Sequence, residues 1–190
     1  LRKGKLDTPN ESRKVIIPGK SLQEVGKIMD EDDQKISITV SDRHVLFDMG
    51  YTRIVSRVLE GEYINYKQII PEDYKIRVKV DTKILADSID RASLIAREGK
   101  NNLIKLSLQD QKMVITSNSE SGQVYEEIPI IQEGKDLEIA FNARYFMDML
   151  KVLEDQEVCL DFTTSVSPCV IRPIKGNDYT YLLLPVRIFV

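Results

Sequence analysis

The sequence has few of the residues that most often carry catalysis and metal binding. Its 190 residues include one histidine, two cysteines and no tryptophan. His44 follows Ser41 and Asp42 closely, but side chains so near to one another on a turn do not converge as nucleophile, base and orienting group. Cys159 and Cys169 stand in apolar, strand-like surroundings, which predicts buried, reduced thiols rather than a disulfide. We expect no catalytic residues, no metal site and no cofactor.

Other signatures are missing as well. The Gly-Lys pairs at 99–100 and 134–135 lack the rest of a G-x-x-x-x-G-K-[ST] phosphate loop. The acidic run at 30–35, DEDDQK, lacks the glycine and the terminal glutamate of a calcium loop and is expected to be a solvated loop. No apolar run approaches the ~20 residues that span a bilayer, and no signal peptide is apparent, so we expect a cytoplasmic location.

The overall charge does not favour nucleic acid. The chain is 42% hydrophobic and 30% charged with a net charge of −3, which is typical of a globular protein. A local basic surface is still compatible with this net charge, because the net value averages over all faces. The chain begins at Leu1 rather than at a methionine, in the middle of a pattern, which suggests a piece of a longer protein.

Three segments share one layout, in which a short strand leads into a helix. They are VIIPGKSLQEVGKIM (15–29), VKVDTKILADSIDRASLIA (78–96) and IAFNARYFMDMLKVL (139–153). The residues at the strand–helix junctions are Pro18, Asp81 and Asn142, types that suit the start of a helix, and they are separated by 63 and 61 residues. Two positions after each junction stands a basic residue, and four positions after it stands an apolar one. This regularity indicates an internal repeat.

Three stretches with alternating apolar and polar residues follow each helix, which predicts antiparallel strands separated by turns such as Asp110-Gln111 and Gly176-Asn177. Each unit is then strand–helix–strand–strand–strand, and the fold class is α+β with the helices on one face of antiparallel sheets. One such unit buries little core by itself. We therefore expect units two and three to form one domain over 74–190, and unit one to be half of a preceding domain.

The repeat and five motifs resemble the family of bacterial sliding clamps, the beta subunits of DNA polymerase III. The motifs are VIIPGKSLQEVGKIM, GEYINYKQIIP (61–71), FNARYFMDML (141–150), TSVSPCVI (164–171) and YLLLPVR (181–187). The resemblance implies a DNA clamp fold, with the second half of the middle domain and its connector at 1–71 and a complete last domain at 72–190. It implies a non-catalytic processivity factor that encircles duplex DNA and docks polymerases, the clamp loader and repair proteins.

The resemblance also implies three sets of site residues. A pocket for short apolar peptides would be lined by Ile64, Gln68, Ile69, Asn142, Tyr145, Val166, Pro168, Leu182, Leu184, Pro185, Val186 and Arg187. Sequence-independent contacts with DNA phosphates would come from Lys20, Lys27, Lys83, Arg91, Arg144 and Lys151. The subunit interface of a head-to-tail homodimer ring would include Arg91, Leu94, Ile95 and Arg97.

Each of these interpretations has a structural alternative. The segment 180–190 could be only an edge strand that completes the core, and the lysines and arginines could simply solvate exposed helix faces. The alternative function is a stand-alone peptide-binding adaptor of the same fold. An enzyme is disfavoured because no nucleophile–base pair is present. Without a first domain, we expect that the 190-residue chain does not close a ring.

Overall fold

The computed structural model describes residues 1, 2, 4, 13–29, 35–71 and 73–187. The chain divides into two compact units, one made of residues 1–5 with 66–190 and the other of residues 6–65. Within the described residues, no helix is long and apolar enough to cross a membrane.

The unit of residues 6–65 holds one helix and one three-stranded sheet. Helix α1 spans Gly19–Ile28, and the antiparallel sheet has the order β1 (Ser37–Val40), β2 (His44–Asp48), β3 (Arg53–Arg57). Pro18 precedes the helix with φ −56°, and its carbonyl oxygen accepts the N–H of Ser21 at 2.9 Å. A small core joins Val25 of the helix to Val45, Phe47 and Met49.

The strand predicted at the start of this unit is not formed. Around Ile16 the described backbone pairs only through a single antiparallel bridge to Leu59, closed by the N–H of Leu59 on the carbonyl oxygen of Ile16 at 2.8 Å. A ladder needs successive pairs of this kind, so the apolar run at 15–17 stays outside any sheet.

The second unit contains two antiparallel sheets. Its strands are β4 (Ile76–Asp81), β5 (Leu103–Gln109), β6 (Lys112–Ser119), β7 (Gly122–Pro129), β8 (Ile131–Glu133), β9 (Leu137–Asn142), β10 (Glu157–Phe162), β11 (Cys169–Pro173) and β12 (Tyr181–Leu183). One sheet has the order β12-β11-β10-β4-β8 and the other β7-β6-β5-β9. The first strand of each repeat therefore pairs with the other repeat, β4 with β10 and β9 with β5.

Helices α2 (Thr82–Ala96) and α3 (Ala143–Leu150) begin where the junction residues predict. The carboxylate of Asp81 accepts the N–H of Ile84 at 2.8 Å, and the amide oxygen of Asn142 accepts the N–H of Arg144 at 2.9 Å. The two helices pack on one another, and α2 also packs on β5, β6 and β7. One continuous apolar core joins both helices to both sheets, with Leu85 and Phe146 fully buried. The predicted α+β class is confirmed.

Two details of this unit follow from local chemistry. Asp110 and Gln111 have φ values of 52° and 61° in the two-residue turn between β5 and β6, the left-handed geometry that suits the twist of a hairpin. Gly134, after the short β8, has φ 104°, and a Cβ there would collide with the carbonyl oxygen of Lys75. Cys159 and Cys169 are buried and unpaired, as predicted.

Candidate functional site

An open groove of about 820 Å³ lies between α3 and the C-terminal segment. Its walls come from the turn before β5, the end of β9, one face of α3, and the chain from β12 onward. The lining residues are Asn101, Asn142, Tyr145, Asp148, Met149, Ile171, Tyr181, Leu182, Leu183, Leu184, Pro185 and Val186.

The C-terminal segment reaches both sheets. Strand β12 pairs with β11 up to Leu183, whose side chain is buried in the core. Pro185 has no N–H to donate, and the chain then joins the other sheet through the N–H of Val186, which donates to the carbonyl oxygen of Ala140 at 2.8 Å. Leu184 is 64% exposed. The segment therefore anchors itself in the core through alternate side chains and leaves the others on the groove, so both interpretations of this apolar end are correct in part.

Helix α3 forms the opposite wall and is held firmly. The rings of Phe141 and Phe146 pack edge to face below it, with centroids 5.6 Å apart. Asn142 caps the helix with its amide oxygen, and its Nδ2 donates to the carbonyl oxygen of Asn101 at 2.7 Å, so the amide is fully engaged. Tyr145 is 62% exposed on the groove side.

The groove has an apolar floor and a polar rim. Met149 and Ile171 are buried beneath it, while the carboxylate of Asp148 stands exposed at the edge. Such a surface can accept two or three aliphatic or aromatic side chains from an extended peptide, whose backbone the rim groups can bind.

Six of the twelve predicted pocket residues line this groove: Asn142, Tyr145, Leu182, Leu184, Pro185 and Val186. The others lie elsewhere on the chain. Val166 and Pro168 belong to the loop between β10 and β11, Arg187 is exposed at the end of the described chain, and Gln68 and Ile69 form part of a tight turn after Tyr66. Ile64 is exposed and belongs to the other unit.

Sequence reasoning missed the rest of the lining. Asp148 and Met149 stand three and four positions after Tyr145, so helical periodicity could have identified them. Asn101 could not have been found this way, because it lies on an irregular turn with φ 67° and reaches the groove only through its contact with Asn142.

The predicted DNA-facing residues are all exposed. In the unit of residues 6–65, Lys27 forms an ion pair with Glu24 at 2.8 Å. In the other unit, Lys83 and Arg144 lie in the first turns of α2 and α3, and Lys151 follows the end of α3.

Arg91 differs from these residues because its guanidinium is already paired. Its Nε and Nη2 donate to both carboxylate oxygens of Glu126 on β7, at 2.8 and 2.7 Å. The hydrogen-bonded pair raises the pKa of Arg91 and lowers the pKa of Glu126. Much of the positive charge of Arg91 is therefore balanced within the chain.

The predicted interface residues cluster at the C-terminal end of α2. Leu94 is 57% exposed, Ile95 is half-buried and Arg97 is exposed. A second cavity of about 410 Å³ lies beside them, between the end of α2 and strands β5 to β7. Strand β7 is the edge of its sheet among the described residues.

The trio of Ser41, Asp42 and His44 forms a turn. The hydroxyl of Ser41 accepts the backbone N–H of His44 at 3.2 Å and donates to the carbonyl oxygen of His44 at 3.0 Å. The hydroxyl is thus used to close the hairpin between β1 and β2. Residues 30–34 of the acidic run lie outside the described residues.

Known proteins similar to the chain are bacterial clamps. The family model for the DNA polymerase III beta subunit, C-terminal domain, matches residues 67–187, and the model for the central domain of that subunit matches residues 1–65. The beta sliding clamp of Bacillus subtilis (strain 168) is 43% identical over 193 residues, which cover 100% of this chain and 51% of the relative. That of Staphylococcus aureus is 40% identical over 191 residues, with the same coverage of 100% and 51%.

Solved structures agree with this result. The DNA polymerase sliding clamp from Bacillus subtilis has a TM-score of 0.93 at 42% identity, covering 99% of this chain and 50% of that one. The DNA polymerase III beta chain from Streptococcus pneumoniae TIGR4 has a TM-score of 0.91 at 29% identity, covering 98% and 50%. The architecture is that of these clamps, as the resemblance predicts. The chain spans about half the length of the curated relatives it matches.

Proposed function

Because the chain belongs to the DNA polymerase III beta subunit family, we propose that it supplies the peptide-docking part of a sliding clamp. The complete subunit is a non-catalytic processivity factor that closes a head-to-tail homodimer ring around duplex DNA. It docks replicative and translesion polymerases, the clamp loader and repair proteins, and acts in the bacterial cytoplasm at replication forks. Residues 1–71 correspond to half of the middle domain with its connector, and residues 72–190 to the last domain; Glu72 at this boundary lies outside the described residues.

The observation that carries the proposal is the groove between α3 and residues 182–186. It combines an exposed tyrosine and leucine with a buried apolar floor, which is the composition expected of a site for peptide side chains. Its lining comes entirely from the unit of residues 1–5 and 66–190, so peptide docking needs no ring. Peptide binding alone is therefore equally compatible with the stand-alone adaptor, and DNA binding separates the two functions.

Two further features support a role on DNA. Lys83 and Arg144 occupy the same repeat position on α2 and α3, and both are exposed. A recurrent cationic position on neighbouring helices suits phosphate contacts that carry no sequence information. The apolar surface at the end of α2, beside the edge strand β7, supports a subunit contact there.

Calorimetric titration with the peptide Gln-Leu-Ser-Leu-Phe tests the docking proposal. We expect a dissociation constant in the micromolar range or weaker, about −8 kcal/mol or less in magnitude, because few side chains are desolvated while a flexible chain is ordered. The double variant Val186→Asp with Arg187→Ala should lose binding, while Val55→Asp with Arg57→Ala, on β3, should keep it. Thermal unfolding checks that both variants remain folded. A folded Val186→Asp/Arg187→Ala protein that binds the peptide as tightly as the parent would refute the site.

A further inference from the structure

The second unit contains a two-fold pattern of strand exchange between its repeats. Each four-stranded set consists of three strands from one repeat and the first strand from the other, since β4 pairs with β10 and β9 pairs with β5. Both exchanged strands run antiparallel to their new neighbours. The helices α2 and α3 pack together beneath this exchange. Two copies of one layout thus complete one another.

The first repeat has the same parts, but its exchange is not made among the described residues. Its sheet has only the three strands β1 to β3, and β1 has no neighbour on its outer side in the described chain. The backbone at 15–18, which corresponds to the start of β4 and β9, makes only the bridge between Ile16 and Leu59. One unit therefore carries both an unused donor strand and an unused acceptor edge.

The helix faces differ in the same way. Leu22 occupies the repeat position of Leu85 and Phe146, which are both 0% exposed, yet Leu22 is 47% exposed. Met29 occupies the position of the fully buried Ala92 and is 38% exposed. Positions that the second unit buries between its two helices are therefore open on α1.

We propose that the 190-residue chain self-associates through this surface, defined by the segment 15–18, α1 and β1. In a two-fold dimer, the segment 15–18 of each copy adds antiparallel to β1 of the other, and the two α1 helices cover one another at Leu22 and Met29. A surface with both a donor strand and an acceptor edge is self-complementary only under a two-fold axis, which gives an isologous, closed contact. This is why a second copy, rather than an unrelated peptide, is the occupant that the surface fits.

The pairing also satisfies backbone groups that are otherwise left to water. An unpaired strand edge is a template for another strand, and the exposed side chains of Ser37, Ile38 and Thr39 present no inward-pointing charge to block one. The surface is separate from the peptide groove, which lies in the other unit, so self-association and peptide docking are independent of one another.

Sedimentation equilibrium of the 190-residue chain over a hundred-fold range of concentration tests the inference. We expect the mean mass to approach twice the chain mass at the highest concentrations. Leu22→Asp should remain at the mass of one chain, whereas Val152→Asp, at an equally exposed valine after α3, should dimerise like the parent. Because Leu22 is exposed, the aspartate should not unfold the unit, which circular dichroism checks.

Hydrogen exchange locates the contact. Amide exchange at residues 37–40 should slow at least ten-fold between low and high concentration in the parent and stay unchanged in Leu22→Asp. A single-chain mass at every concentration would overturn the inference, as would a dimer that persists in Leu22→Asp. A dimer without protection of residues 37–40 would overturn it equally, because another surface would then form the contact. None of these results bears on whether the groove binds peptides.

Discussion

The side chains of Arg77 and Asp161 meet in two parallel hydrogen bonds, Nε to Oδ1 at 2.6 Å and Nη2 to Oδ2 at 2.8 Å. The two residues are direct partners in the pairing of β4 with β10, so their contact joins the first strand of one repeat to the other repeat. The Asp161 side chain is 4% exposed, and the ring of Tyr74 lies 3.9 Å from the guanidinium carbon of Arg77. This pairing, set against partial desolvation, raises the pKa of Arg77.

Asp161→Asn should destabilise the protein, because it leaves the guanidinium of Arg77 without its anionic partner. The free energy of unfolding in urea should fall by about 2–3 kcal/mol, somewhat less than the loss for a fully buried pair, because Arg77 keeps some contact with water. Glu127→Gln, which breaks the exposed pair with Lys112, should change stability little. Equal losses in the two variants would mean that the strand exchange does not depend on the buried pair.

Tyr145→Ala and Leu184→Ala should each weaken peptide binding about ten-fold, since each removes an apolar wall of the groove. Leu94→Ala, at a leucine of similar exposure on α2, should leave the affinity unchanged. Calorimetry measures all three. An effect at Leu94 as large as at Leu184 would place the peptide at the end of α2 instead.

Replacing Lys83, Arg144 and Lys151 together with alanine should weaken binding to duplex DNA at low salt. If these side chains neutralise phosphates, the slope of log K against log salt should decrease by about 0.9 for each phosphate that is no longer neutralised. Arg91→Ala should have less effect than any of these three single changes, because Arg91 is already paired with Glu126.

The control for this experiment is the triple alanine variant of Lys105, Lys112 and Lys135, which removes the same charge from residues outside the three helices. Fluorescence anisotropy with duplexes of two unrelated sequences measures both variants. Equal losses in the two triple variants would indicate a response to net charge alone, and a preference for one duplex would contradict contacts limited to phosphates.

The two thiols should resist alkylation in the native protein at pH 8. Burial raises the pKa of Cys159 and, more strongly, that of Cys169, so the reactive thiolate is suppressed. Because the unfolded chain loses these protons at lower pH than the native one, the thiol contribution to stability should decline as pH rises above about 8.5. Mass spectrometry after iodoacetamide should find both unmodified in buffer and both modified in urea. Rapid native labelling of Cys169 would contradict its burial.

The sequence predicted most of the elements, and the reasons are local. The bounds of β5 and β10 agree with the alternating runs at 103–109 and 157–162, because a half-buried strand repeats every second residue. Asp81 and Asn142 identified the starts of α2 and α3 through capping chemistry. The three-residue β8 was missed, because it is too short for any periodicity and forms only by pairing with β4.

The groove was predicted only in part, and the reason lies in tertiary contacts. Residues 182–186 stood out as an apolar run, but the bond from Val186 to Ala140 that directs them across the second sheet has no local signal. Ile171 and Asn101 reach the groove from a buried strand and an irregular turn, and their neighbours in sequence give no indication of it.

Mapping a bound peptide by NMR tests the docking site most directly. Backbone amide signals of the labelled chain would be followed during titration with Gln-Leu-Ser-Leu-Phe. The account predicts that the largest shifts fall at residues 142–149 and 181–187, on the two walls of the groove. Shifts concentrated around residues 96–99 and 116–125, beside the second cavity, would contradict it, as would no saturable shift at millimolar peptide.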